Sequence, residues 1–382
     1  MHFSRLIALI VATLAVSGAC AQVVLEQANR TLTIEGYANL TAAQTRGEDQ
    51  GANANWRAAR ADGGVRFLGL IGQRDDVRFG ARAELLFSKE GRFEFGQRSL
   101  LLLGAWGRAE LGKRRGLPDV LAGYAPNGFT FTSAEFGLAS GPGLDPGGSL
   151  PTLFLPSGVA SRINSVSSLG FSATFATDRS TKLIYVSPRA RGFEGGVSYS
   201  PRAEELGGRF RDLLQTGLVH ETYFGENTLH IGATYTQAKG SDDAATGQAT
   251  NDLKSISGGA SLALDNALEV GLSATWDGRS GLAVVTGPAS GATGFGHVAS
   301  INYNSGPWTL GAFYQQARTE GDPAAAGVDG LRAWQAGASY RVSTRLRFFA
   351  AYYRYAFRDE GGLRAIDRFD GGVLLFGTRV AL

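Results

Sequence analysis

Cysteine is almost missing from this chain. Its one copy, Cys20, sits in an apolar leader. If the leader is removed, the body of the protein can form no disulfide and offers no thiol nucleophile or cysteine metal ligand. One-signed charge is missing as well. The 37 basic and 34 acidic side chains nearly cancel, and setting Arg5 of the leader aside leaves 36 against 34. That balance does not suggest a nucleic-acid binder. Beyond the leader there is no run of 18 apolar residues, so helical membrane spans are excluded. A mean hydropathy of −0.07 is also far too polar for a bundle of such helices. Histidine is scarce: His220, His230 and His297 are the copies outside the leader. No nucleophile motif accompanies any of them, which argues against an enzyme.

What is present begins with the leader itself. Arg5, the apolar stretch Leu6 to Val16, and Ala19-Cys20-Ala21 before Gln22 read as a secretory signal over residues 1–21. A lipid-anchored reading of Cys20 would want an aliphatic residue three positions earlier, where Ser17 stands. Residues 22–382 then form one domain, since no linker or shift of composition divides them.

The dominant pattern in that domain is alternation. Leu268, Val270, Leu272, Ala274 and Trp276 interleave with Glu269, Gly271, Ser273, Thr275 and Asp277. A strand with side-chain period two places the first set on one face and the second on the other. Val77, Phe79, Ala81, Ala83 and Leu85 alternate in the same way with Arg78, Arg82 and Glu84. Such segments are predicted at 30–43, 63–72, 75–88, 92–104, 106–113, 181–188, 192–200, 211–223 and 228–238. They continue at 253–264, 267–277, 295–304, 307–318, 332–342, 345–357 and 368–381. The stretch 161–176 reads as either a strand or an ordered loop.

Connections between them alternate in length. Tight turns fall near Gly72-Gln73, Gly104-Ala105, Gly225-Asn227, Asp265-Asn266, Ser305-Gly306 and Ser343-Thr344. Long polar connections fill 44–62, 239–252, 278–294, 319–331 and 358–367. A soluble sandwich has no reason to alternate its loops in this way. A membrane barrel does, because its two ends face different compartments. The pattern predicts an all-β fold, a transmembrane antiparallel β-barrel of about sixteen strands with both termini at one end. Residues 114–180 are much longer than any other connection and rich in glycine and proline. A barrel of about this size is too wide for its own side chains to fill, so a loop folded inward would narrow it; a surface loop is the other reading.

Three stretches are similar to the general porins of Gram-negative outer membranes. RSLLLLGAWGRAELGKRRGLPD (Arg98 to Asp119) resembles the family's strand–turn–strand before its constriction loop, with Lys113 where the family has arginine. RINSV (Arg162 to Val166), followed by KLIYVSPRARGFEGGVSYSP (Lys182 to Pro201), resembles the hairpin after that loop. FDGGVLLFGTRVAL resembles the closing strand, ending in Leu382 where the family usually ends in an aromatic residue.

The resemblance implies a sixteen-stranded homotrimer in outer-membrane lipid whose third loop folds into the lumen. It further implies passive diffusion of ions and small hydrophilic solutes, with no cofactor. Basic wall groups carried over from it are Arg66, Arg78, Arg82 and Arg98, facing acidic groups Asp119, Glu135 and Asp145 on the loop. Local pairing of the arginines with Glu84 and Glu94 is the competing reading. A non-conducting barrel plugged by 114–180, acting as an adhesin or structural protein, is the alternative function. Tyr353 and Tyr355 are too few for an aromatic sugar slide, and Asp242-Asp243 lack the spacing of a calcium loop, so no metal is expected.

Overall fold

A computed structural model describes residues 22–27, 30–47, 57–74, 77–87, 93–121, 179–203, 210–240, 251–265, 267–280, 294–319, 328–359 and 368–381. In chain order the elements are β1 (Gln22–Gln27), β2 (Arg30–Gly47), β3 (Arg57–Arg74), β4 (Val77–Phe87), β5 (Phe93–Gly104) and β6 (Gly107–Lys113). A short helix, α1 (Leu117–Leu121), follows, then β7 (Thr181–Val186), β8 (Phe193–Arg202), β9 (Phe210–Phe224), β10 (Asn227–Gly240), β11 (Leu253–Leu264) and β12 (Leu268–Gly278). The chain ends with β13 (Gly294–Ser305), β14 (Trp308–Thr319), β15 (Asp329–Arg341), β16 (Leu346–Arg358) and β17 (Arg368–Ala381).

Each strand from β2 to β17 pairs antiparallel with the next, and β17 pairs back onto β2, closing a sixteen-stranded barrel. The strand that alternation alone does not reveal is β1. Its residues pair with β2 from Gln22↔Glu35 to Gln27↔Arg30, while β17 pairs with the same edge of β2 up to Ala381↔Tyr37. The two ends of the described chain therefore lie end to end along one edge of β2. Together they satisfy a row of backbone groups that would otherwise be an open sheet edge in the membrane. Both termini lie toward the short-turn end. The short connections 105–106, 225–226 and 306–307 share that end, and the long ones 241–252, 279–293 and 320–328 share the other.

Parity follows the expected rule on most strands. On β12, Leu272 is 66% exposed on the outer surface, whereas Ser273 is 7% exposed inside. Outward apolar residues such as Leu100, Leu218, Ile256 and Phe376 make an exposed apolar band around the barrel, as membrane barrels have. Aromatic residues cluster outward near the short-turn rim, where Trp308 and Tyr340 pack at 4.7 Å and Trp106 stacks near Tyr185.

The inner face breaks the rule on one side. Phe313, Phe349, Tyr353, Phe357, Val373 and Leu375 have inward parity and are at most 5% exposed. The inner face of β16 and β17 is thus largely apolar at mid-height, with Tyr353 packed against Phe313 and Tyr355, while β14 and β15 add the buried polar groups Gln315, Gln335 and Ser339.

Candidate functional site

The opposite inner wall, β2 to β6, is ionic. Glu35 on β2 is directly in register with Arg66 on β3, and Arg66 with Glu84 on β4. Side chains opposite one another on one sheet face are about 5 Å apart, so the three form a row of alternating charge. Arg66 Nη2 donates to Glu84 Oε1 at 3.1 Å and Nη1 to Glu35 Oε2 at 3.5 Å. Glu84 is buried and takes a second bond from Gln97 Nε2 at 3.0 Å. The Gln97 carbonyl oxygen in turn accepts from the Arg114 guanidinium and from the backbone N–H of Arg115.

A second focus is Glu110 on β6, only 1% exposed. Arg114 Nε donates to its Oε2 at 2.8 Å and Ser99 Oγ to the same oxygen at 3.3 Å. Arg82 Nη1 stands 3.7 Å from that oxygen, and Arg108 Nε 3.2 Å from Oε1. Three guanidinium groups therefore converge on one carboxylate. A buried carboxylate without such partners would be strongly disfavoured, and arginines crowded without it would repel.

The wall then releases the chain inward. Arg115 pairs with Asp119 at 3.0 Å across the first turn of α1. Leu117 and Leu121, both fully buried, pack on the inner side of β7–β9 against Ile184, Val186 and Val219. The seat is cut by two glycines in direct register, Gly196 on β8 and Gly217 on β9. A Cβ at Gly196 would lie 2.7 Å from a Leu117 methyl, and one at Gly217 would lie 2.7 Å from a Leu121 methyl. Gln215 locks the start of the helix by accepting the Leu117 N–H at 3.0 Å. Arg66, Arg82, Gln97, Arg114, Arg115 and Asp119 border a water-accessible cavity of about 320 Å³.

The sequence-based site is partly gathered here and partly dispersed. Arg66, Arg82 and Asp119 share the cavity. Arg78 faces inward but sits about 13 Å further along its strand toward the short turns. There it borders a separate space with Arg108 and Glu194. Arg98 is a correction. It pairs with outward-facing Ala83 and lies exposed on the outer surface, its guanidinium 5.9 Å from the Phe95 ring. Its neighbour Ser99 is the residue that points inward. The run Leu100 to Leu103 hides the parity of this strand, since apolar residues occupy both faces. Glu135 and Asp145 lie outside the described residues, as do 122–178, the greater part of the expected constriction loop, and the ambiguous stretch 161–176.

Among the members of the site absent from the sequence-based candidates are Gln97, Arg108, Glu110, Arg114 and Arg115. A signal existed for two of them, because Arg108 and Glu110 alternate with Ala109 and Leu111. The two histidines on neighbouring strands do not form a pair. His220 lies on the outer parity against Phe193 at 4.1 Å, whereas inward His230 stands 3.7 Å from Glu221.

The barrel and its closure agree with a comparison of sequence: the profile of a family described as Gram-negative porin matches residues 8–360. The chain belongs to the Gram-negative porins. It forms an outer-membrane channel for passive diffusion. Similar solved structures include the anion-selective porin of Comamonas acidovorans, at 16% identity and TM-score 0.60 over 92% of this chain and all of that one. Salmonella typhi OmpF, in complex with daunomycin, matches at 13% identity and TM-score 0.63 over 94% of this porin and 100% of its own length. OmpT of Vibrio cholerae matches at 14% identity and TM-score 0.60, over 94% and 99%. At these identities the likeness concerns the fold. A comparison with curated proteins returns no match.

Proposed function

We propose that ions and small hydrophilic solutes cross this porin past the ionic wall of β2–β6, and that the wall gives the channel a modest preference for anions. The observation that carries the reading is the charge count at the cavity and its immediate ion pairs. Five arginines (Arg66, Arg82, Arg108, Arg114 and Arg115) meet four carboxylates (Glu35, Glu84, Glu110 and Asp119). One positive charge is left over in a region bordered by low-dielectric protein, where fields are focused into the water. The functional unit is taken to be a homotrimer, the form in which Vibrio cholerae OmpT was also solved. Residues 1–21 are taken to be removed on export. No catalytic role is assigned: His220 and His230 lie on opposite faces of the barrel wall.

The test is conductance of the purified protein in planar bilayers with a KCl gradient. Discrete open channels with a reversal potential on the anion side are expected. Arg66→Gln combined with Arg82→Gln should move that potential toward cations. Absence of conductance would overturn the channel path, and an unmoved potential in the double variant would remove the arginine wall from it.

A further inference from the structure

The arginines of this wall are not free cations awaiting an anion. Nearly all are held by carboxylates of the wall itself, and one of those carboxylates is placed unlike the others. Glu35 is 44% exposed and touches Arg66 at 3.5 Å. Glu84 meets one arginine and one glutamine. Glu110 instead gathers Arg82, Arg108 and Arg114 from three directions while only 1% exposed. We propose that Glu110 is the residue that sets the ionic preference of the channel, by cancelling and positioning the three arginines that converge on it. This rests on the reading that solutes pass this wall.

Two physical points favour Glu110 over the other carboxylates. First, mobile ions screen a buried charge far less than an exposed one. The field of Glu110 reaches the cavity at salt concentrations that mute Glu35. Second, its two oxygens hold geometry as well as charge. Oε2 takes Arg114 and Ser99 and faces Arg82, while Oε1 faces Arg108. Arg114 also bonds Gln97, which bonds Glu84. Glu110 therefore connects to the Glu35–Arg66–Glu84 row through Arg114 and Gln97. It acts on solutes through the arginines, as a positioning residue.

The experiment compares Glu110→Gln, Glu110→Asp and wild type by reversal potential in a KCl gradient. The amide keeps the size of the side chain and removes its charge, doubling the excess of positive charge. The anion-to-cation permeability ratio should rise about threefold to fivefold at low salt, because one unit charge about 10 Å away in water favours the anion and disfavours the cation by about twofold each. The gain should fade near 1 M salt, where the screening length is about 3 Å. Glu110→Asp should stay near wild type, and Glu35→Gln should shift the ratio less than Glu110→Gln.

Glu110→Gln leaves three arginines crowded and could fail to assemble. The same contribution is therefore read in an Arg114→Gln background. Arg114→Gln alone should move toward cations, and adding Glu110→Gln should bring the ratio back close to wild type. Open channels whose reversal potential ignores Glu110 in both backgrounds would overturn the proposal. Wild-type protein without conductance would instead overturn the channel path beneath it.

Discussion

The sharpest test of the barrel reading is Leu272→Arg. Leu272 is the fifth residue of β12, outward and 66% exposed, with Ala260 and Ala299 on either side in register. Small neighbours on both strands give the arginine no carboxylate to reach, and Trp276 marks the rim four residues further on. An arginine on the lipid face near the midplane of a barrel costs about 2–4 kcal/mol, against about 0–1 kcal/mol near the interface. Leu310 on β14 supplies the interfacial comparison. It is outward and 48% exposed, but lies two residues from Trp308 at the short-turn rim. The structure therefore predicts a difference of about 2–3 kcal/mol between Leu272→Arg and Leu310→Arg, roughly a 30-fold to 150-fold change in the folding equilibrium. Urea titration of folding into phospholipid vesicles, followed by tryptophan fluorescence, measures both variants under one condition. Equal losses would mean that Leu272 is not at mid-depth. No loss at either site would mean that this face does not meet lipid at all.

Two further outcomes follow from particular contacts. Arg98→Gln should leave the reversal potential in a salt gradient unchanged, because that guanidinium lies on the outer surface beside Phe95; a shift comparable to Arg82→Gln would return it to the pore wall. Leu121→Ala should cost about 2–5 kcal/mol of local packing beneath α1. Gly217→Val should dislodge the same leucine by collision, so in both variants backbone amides of 117–121 should exchange hydrogen much faster while β12–β16 stay protected. Unchanged exchange in both would show that the glycine notch does not hold the helix.

Most of the architecture was legible because a one-residue slip in a membrane strand is so costly. Wherever one face meets lipid and the other meets charge, as on β2, β4 and β12, the side-chain period fixes both the element and its orientation. The sixteen segments read from alternation correspond to β2–β17, within a few residues at their ends except for β3, which extends from 63 back to 57. Alternation failed where both faces are apolar. Leu100 to Leu103 on β5 concealed that Arg98 faces outward. On β16, Phe348 and Phe349 and then Tyr352 and Tyr353 put aromatic residues on both sides, so the apolar inner face of that strand left no mark. β1 was invisible for a different reason. Its six residues pair with an edge of β2 that is half taken by β17, and nothing local in Gln22–Gln27 shows that β17, at the far end of the chain, leaves that part of the edge open.

The site was less legible than the fold because the porin resemblance places its two signs of charge on different elements, whereas the competing local pairing is the one that Arg66 and Glu84 make at 3.1 Å. An acidic loop facing a basic wall predicts a field across open water. In the structure the carboxylates Glu84 and Glu110 are set among the arginines of the same wall, at 2.8–3.7 Å, and the larger part of their attraction is spent within it. Opposite charges paired at such distances behave toward a distant ion as dipoles, whose potential falls off faster than that of a lone charge. What reaches the solute is the small excess left after pairing, and the orientation in which the pairs are held. Counting arginines along the strands therefore overstates the attraction for anions. The decisive quantity is how many of them a buried carboxylate has already claimed, and Glu110 claims three.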